Sequence, residues 1–102
     1  MKSEHQVIAE VKIVPLGTET TGLSRYVKAC TLLLKNTEDI TFQTTAMSTI
    51  IQGRLDRVLE LVRKMHEIPF SLGCQRVSTT ITIDDRRDKE ATMDSKVKAI
   101  NG

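Results

Sequence analysis

An α+β fold, in which an antiparallel sheet carries helices on one face, is predicted by three features of the sequence. Alternating apolar and polar residues recur in the stretches 7–16, 40–53 and 75–84, the period of strands. Two intervening stretches, from residue 24 and from residue 54, repeat their apolar residues at helical spacing. The chain has 102 residues and is 39% hydrophobic, enough for one domain with a thin core.

The first strand is Val7 to Leu16. Val7, Ala9, Val11 and Ile13 fall on one side, and Ile8, Glu10, Lys12 and Val14 on the other. Pro15 cannot donate to a sheet ladder, and the polar stretch 17–22 reads as a loop. Ser24 is placed to cap a helix whose stripe is Leu23, Tyr26 or Val27, Cys30, Leu33 and Leu34, ending near Asn36. Ile40–Thr45 and Thr49–Gly53 alternate again around Ala46, Met47 and Ser48, which predicts a hairpin.

From Arg54 the period changes, because Leu55, Val58, Leu59, Val62 and Met65 follow i, i+3, i+4, i+7 spacing. Pro69 is expected to kink or end this helix, with Gly73 turning the chain out of it. Gln75–Asp84 is the last strand, with Val77, Thr79, Ile81 and Ile83 set against Arg76, Ser78, Thr80 and Thr82. After a mixed-charge loop from Asp84 to Lys89, a short terminal helix is expected, with Thr92 as cap and Met93, Val97 and Ile100 as its apolar residues. The order β-α-β-β-α-β plus a C-terminal helix defines a single ferredoxin-like domain over 1–102, with a four-stranded antiparallel sheet.

Composition narrows the function. Fifteen basic against thirteen acidic residues leave a charge of +2, too little for a phosphate-neutralising surface. Tyr26, Phe42 and Phe70 are the only aromatics, so a base-stacking platform is missing and nucleic acid is not the expected partner. No apolar run approaches the roughly 18–20 residues of a membrane span, and Met1–Gln6 is polar where a signal peptide is apolar, so a cytoplasmic protein is expected. Cys30 and Cys74 stand apart from any C-x-x-C and are expected buried and reduced.

Most chemical motifs reduce to ordinary structure. Gly17 to Gly22 has phosphate-loop spacing, but Leu23 stands where the charge-neutralising lysine must be. His66 lies on the second helix, where it is expected to rim the core or cap the helix end; with His5 as the only other imidazole, no metal set forms and no cofactor is expected. No base accompanies the serines and threonines at catalytic spacing, so an enzyme is not expected. Arg86, Arg87 and Asp88 read as a solvated loop, with ion pairs between subunits as the alternative.

One sheet face is left without helices and mixes Ile8 and Val14 with Glu10, Lys12, Arg76, Ser78, Thr80 and Thr82. Such a face suits a second sheet with a polar pocket in it. On that face Glu10 and the threonine hydroxyls are groups able to pair charge and hydrogen-bond a bound molecule. For stacking only Tyr26 or the two Phe are available, so Ile8 and Met47 are the expected aliphatic walls.

Three segments carry a resemblance: IVPLGTETTGLSRYV at 13–27, MSTIIQGRLDRVLELVRKMHE at 47–67 and RVSTTITIDDRRDK at 76–89. They resemble the thiamine-binding-protein family, small ferredoxin-like proteins that pair their sheets into dimers and tetramers. The resemblance implies a non-enzymatic binder of thiamine or its hydroxymethylpyrimidine moiety, with a pocket near the sheet and the subunit interface. It points to Ser48 and Thr49 before the hairpin strand and Ser78 and Thr80 in the last strand; with Glu10 these form the expected ligand set on the open face. Where the family pattern reads T-x-I-E-G, this chain has Thr49-Ile50-Ile51-Gln52-Gly53, with Gln52 in place of the acid. A small ferredoxin-like enzyme, or a regulatory scaffold using the sheet only for self-assembly, are the alternatives.

Overall fold

The computed structural model describes residues 5–16 and 20–88, and for residues 20–23 the backbone alone. The elements are β1 (Val7–Leu16), α1 (Thr20–Lys35), β2 (Thr41–Thr44), β3 (Thr49–Gly53), α2 (Leu55–Ser71) and β4 (Arg76–Asp84). The sheet order is β2-β3-β1-β4, every pair antiparallel, which is the ferredoxin-like arrangement expected from the order of elements. The expected terminal helix falls outside the described residues.

Register divides the side chains between two faces. Val7, Ala9 and Val11 are buried beneath the helices, and their partners on β3, Gly53, Ile51 and Thr49, share that face. Ile8, Glu10, Lys12 and Val14 take the open face, opposite Asp84, Thr82, Thr80 and Ser78 of β4. The core joins the β1 residues and Ile51 to Tyr26, Cys30 and Leu34 of α1 and to Val58, Leu61, Val62 and Met65 of α2.

Gly53 sits where β3 runs close to the residue before β2. A Cβ there would lie 2.8 Å from Ile40 Cγ2, inside any van der Waals contact, so glycine is required by approach rather than by backbone angle.

Two local expectations are corrected, and one is placed more closely. α1 begins at Thr20, not after Ser24, so Gly22 lies within its first turn; amides there lack intrahelical partners in any case, which makes a poor helix former tolerable. α2 runs two residues past Pro69, expected to kink or end it, and stops at Ser71; the proline has no N–H to give the carbonyl four residues back, and the helix closes within the same turn. Closure follows through Leu72 N–H to Ile68 O (3.2 Å) and Cys74 N–H to Pro69 O (2.9 Å), with Gly73 at φ +100° reversing the chain toward β4. Cys30 is buried as expected, whereas Cys74 is only half-buried, and its thiol donates to Arg76 O at 3.0 Å.

The charged loop resolves within the chain. Arg87 pairs with Asp85 (2.8 Å) and Arg86 with Asp88 (2.7 Å), while His5 Nε2 lies 2.7 Å from Asp85 Oδ1 and ties the start of β1 to the end of β4. The Arg87 guanidinium first, then His5, holds the Asp85 carboxyl down at about 2.

Candidate functional site

The β2–β3 turn, Thr45 to Ser48, is built by its own side chains. Thr45 N–H donates to Ser48 O at 2.8 Å, and the Thr45 hydroxyl donates to the same carbonyl at 2.9 Å while accepting from Ser48 N–H at 3.0 Å. This fixes Ser48, whose own hydroxyl donates to Glu10 Oε2 at 2.8 Å across to β1. The structure therefore joins two expected site residues that are 38 positions apart in the chain.

The other three are distributed differently. Thr80 stands opposite Lys12, one step along the open face from Glu10, and Ser78 stands opposite Val14, a further step away. Thr49 is a correction: it pairs with the buried Val11, which puts it on the helix side and not on the open face. The reason is period: Ser48 and Thr49 are adjacent, so strand alternation cannot send both to one face.

Thr49 lines a cleft of about 490 Å³ on that helix side, between the second half of β1, α1 and the β2–β3 turn. Val11, Ile13, Tyr26, Cys30 and Met47 form its apolar walls, and Ser48 and Thr49 supply hydroxyls. The expected walls thus separate: Met47 borders the cleft, whereas Ile8 lies on the open face. Ser48 belongs to both regions, lining the cleft while holding the open-face carboxylate.

The lining also includes Lys12, a cation, and the hydroxyl-bearing Thr31, Thr44 and Thr45. Burial pushes both the Tyr26 hydroxyl and the Cys30 thiol above their ordinary values, and a hydrogen bond links the two one helical turn apart. Both groups stay neutral near pH 7, so Tyr26 offers a hydroxyl and an aromatic wall. Periodicity marked Tyr26 as a stripe residue, and its place in a cleft depends on the tertiary spacing of α1 from the sheet.

Both histidines lie elsewhere. His66 Nδ1 is 2.6 Å from Thr79 Oγ1 on β4, and its ring meets Phe70 edge-on at 5.5 Å, consistent with the core-rim role. Among the described residues no cluster of His, Cys, Asp or Glu could hold a metal ion, and no helix is long and apolar enough to cross a membrane. Gln52, at the position of the family acid, donates its amide to Gln6 Oε1 at 2.9 Å.

Comparison with known proteins agrees with this architecture. The family described as Thiamine-binding protein matches residues 9–101. The UPF0045 protein YqgV of Bacillus subtilis is 42% identical over 97 residues, covering 92% of this chain and 93% of its own. The UPF0045 protein of Methanothermobacter thermautotrophicus is 37% identical over 95 residues, 92% of this chain and 95% of its own. Among solved structures, the hypothetical protein MJ1052 of Methanocaldococcus jannaschii superposes with a TM-score of 0.84 at 37% identity, over 95% of this chain and 97% of that one. A Thermotoga maritima protein provisionally assigned to thiamine biosynthesis or salvage shares the fold at a TM-score of 0.76 and 16% identity, over 93% and 98% of the two chains. With the family match spanning β1 through β4 and relatives of this identity along nearly the whole length, the chain belongs to the thiamine-binding-protein family.

Proposed function

We propose that this chain is a non-enzymatic cytoplasmic binding protein for thiamine or its hydroxymethylpyrimidine moiety, working as a homo-oligomer. The observation that carries the reading is the Glu10–Ser48 pair: an open-face carboxylate held at 2.8 Å by the hydroxyl of Ser48, a residue that also lines a cleft of about 490 Å³. A cleft of this size that combines apolar walls with hydroxyl groups is a usual form of a small-molecule site.

The chemistry matches group by group. The Glu10 carboxylate accepts from the exocyclic amine of an aminopyrimidine and offsets the charge of a thiazolium ring. On the open face Ser48, Thr80 and Ser78 continue a hydroxyl track beside Glu10 toward a second subunit, while Thr49, Tyr26 and Met47 line the cleft on the helix side. Gln52 is neutral, so the cation's counter-charge in this set rests on Glu10. The family membership and the thiamine-related role of the Thermotoga neighbour support the ligand class. The two imidazoles, engaged with Asp85 and Thr79, favour binding over catalysis.

Calorimetric titration of thiamine, hydroxymethylpyrimidine and thiamine phosphate into wild type, Glu10→Gln and Thr49→Val tests the reading. Wild type is expected to bind at least one of them, and Glu10→Gln to weaken it by about one to two decades, equivalent to about 1.5–3 kcal/mol. A change below about twofold would make Glu10 structural, and an effect confined to Thr49→Val would move the ligand wholly into the cleft. No binding of any of the three compounds would reject the ligand class.

A further inference from the structure

Ser48 holds the Glu10 carboxylate from outside the strand ladders. The pairing of β1 with β3 stops at Val11 and Thr49, and that of β2 with β3 stops at Thr44 and Thr49, so Ser48 lies one residue beyond both. No strand pairing sets its direction. Among the described residues the Ser48 hydroxyl is also the one hydrogen-bond partner of the Glu10 carboxylate, at 2.8 Å. Whatever fixes Ser48 therefore fixes the carboxylate.

Thr45 is placed to do so. A hydroxyl has one proton and two acceptor lone pairs, and the Thr45 hydroxyl spends all three inside the turn. Its proton goes to Ser48 O at 2.9 Å, and its lone pairs accept from Ser48 N–H at 3.0 Å and Met47 N–H at 3.2 Å. The Thr45 N–H adds a further bond to Ser48 O at 2.8 Å. Ser48 is gripped at its amide and at its carbonyl, which leaves the direction of its side chain little freedom. Although Thr45 lines the cleft, its hydroxyl has no bonding capacity left for a ligand.

We propose that Thr45 is a positioning residue for the Glu10 carboxylate, acting through Ser48 and not by touching the bound molecule. Its consequence for affinity rests on the binding reading above; the turn geometry stands without it. A carboxylate held in place before the ligand arrives does not have to be ordered on binding, so loosening Ser48 lowers affinity without removing any contact group. Valine at position 45 has the shape of threonine and none of its three side-chain hydrogen bonds. Serine keeps all three.

Three measurements on Thr45→Val and Thr45→Ser test the proposal. Amide hydrogen exchange at Met47 and Ser48 is expected to speed up about tenfold in Thr45→Val and to return to the wild-type rate in Thr45→Ser, with Ile51 in the middle of β3 unchanged as the check on folding. In the ligand-free protein, the carboxyl carbon NMR signal of Glu10 is expected to move in Thr45→Val toward its position in Ser48→Ala, and to stay at the wild-type position in Thr45→Ser. In calorimetric titration with thiamine and hydroxymethylpyrimidine, Thr45→Val is expected to weaken binding about threefold to tenfold in the wild-type background and less than about twofold in Glu10→Gln. A Glu10 signal that does not move in Thr45→Val, or that moves equally in Thr45→Ser, would overturn the positioning role, as would a binding loss of full size that persists in Glu10→Gln. If wild type binds neither compound, the ligand reading falls, and the Glu10 signal decides the positioning role by itself.

Discussion

The two helices cover the same sheet face and do different work there. α2 buries Val58, Leu61, Val62, Met65 and Pro69 and packs against β1, β3 and β4; among its described side chains α1 buries Tyr26, Cys30 and Leu34 and packs chiefly on α2. The wider stripe closes the space between helix and sheet. The narrower one leaves it open, and the cleft occupies that opening. If the cleft is the binding site proposed above, stability and binding fall on opposite halves of one layer, and substitutions on the two helices should separate the two properties.

The strongest test is a large-to-small change on each helix. Leu61→Ala, at 2% exposure in the α2 contact, should cost about 2–5 kcal/mol through lost burial and a residual cavity. Leu32→Ala, at 61% exposure on α1, should stay within about 0.5 kcal/mol. Urea unfolding with an unchanged m-value measures both; comparable losses would mean that α1 is clamped as firmly as α2.

A kinetic contrast follows from the thiols. Cys30 is buried with its thiol pushed toward the neutral form, and Cys74 is half-buried near the surface. A water-soluble disulfide reagent at pH 8 should modify Cys74 first and Cys30 about tenfold or more slowly, because the thiolate is the nucleophile and access requires opening of the α1 side. A ligand occupying the cleft should slow Cys30 further and leave Cys74 unchanged. Rapid native-state modification of Cys30 would show the cleft wall to be open to reagent.

The smallest effect lies outside both halves, at Asp85. Its folded value of about 2 is below the ordinary carboxylate value, so its contribution to stability is fully present above about pH 4 and is lost as pH falls through 2. Carboxyl NMR titration should show the Asp85 value rising most in Arg87→Ala and less in His5→Ala, in the order of their hydrogen bonds. An unchanged titration in Arg87→Ala would show the pair to be absent in solution.

Much of this was legible from the chain. Period-two alternation separated the faces of β1 and β4 without reference to any partner, because a strand's geometry alone decides which residues share a side. The spacing of Leu55, Val58, Val62 and Met65 located α2 for the same local reason. Pro69 marked the end of α2 to within two residues, because its missing N–H weakens the ladder locally while the turn at Gly73 decides where the chain leaves the helix. Thr49 misled because motif adjacency says nothing about strand parity.

What the sequence by itself determined is the order of elements, the apolar stripes and the two-sided character of each strand, all consequences of local backbone periodicity. What only the tertiary structure decided is the meeting of Ser48 with Glu10, the placement of Thr49 and Tyr26 in one cleft, and the place of β4 beside β1 in the sheet order. Each of these depends on register and on the distance between packed layers, quantities set by contacts among residues far apart in the chain, which no local pattern encodes.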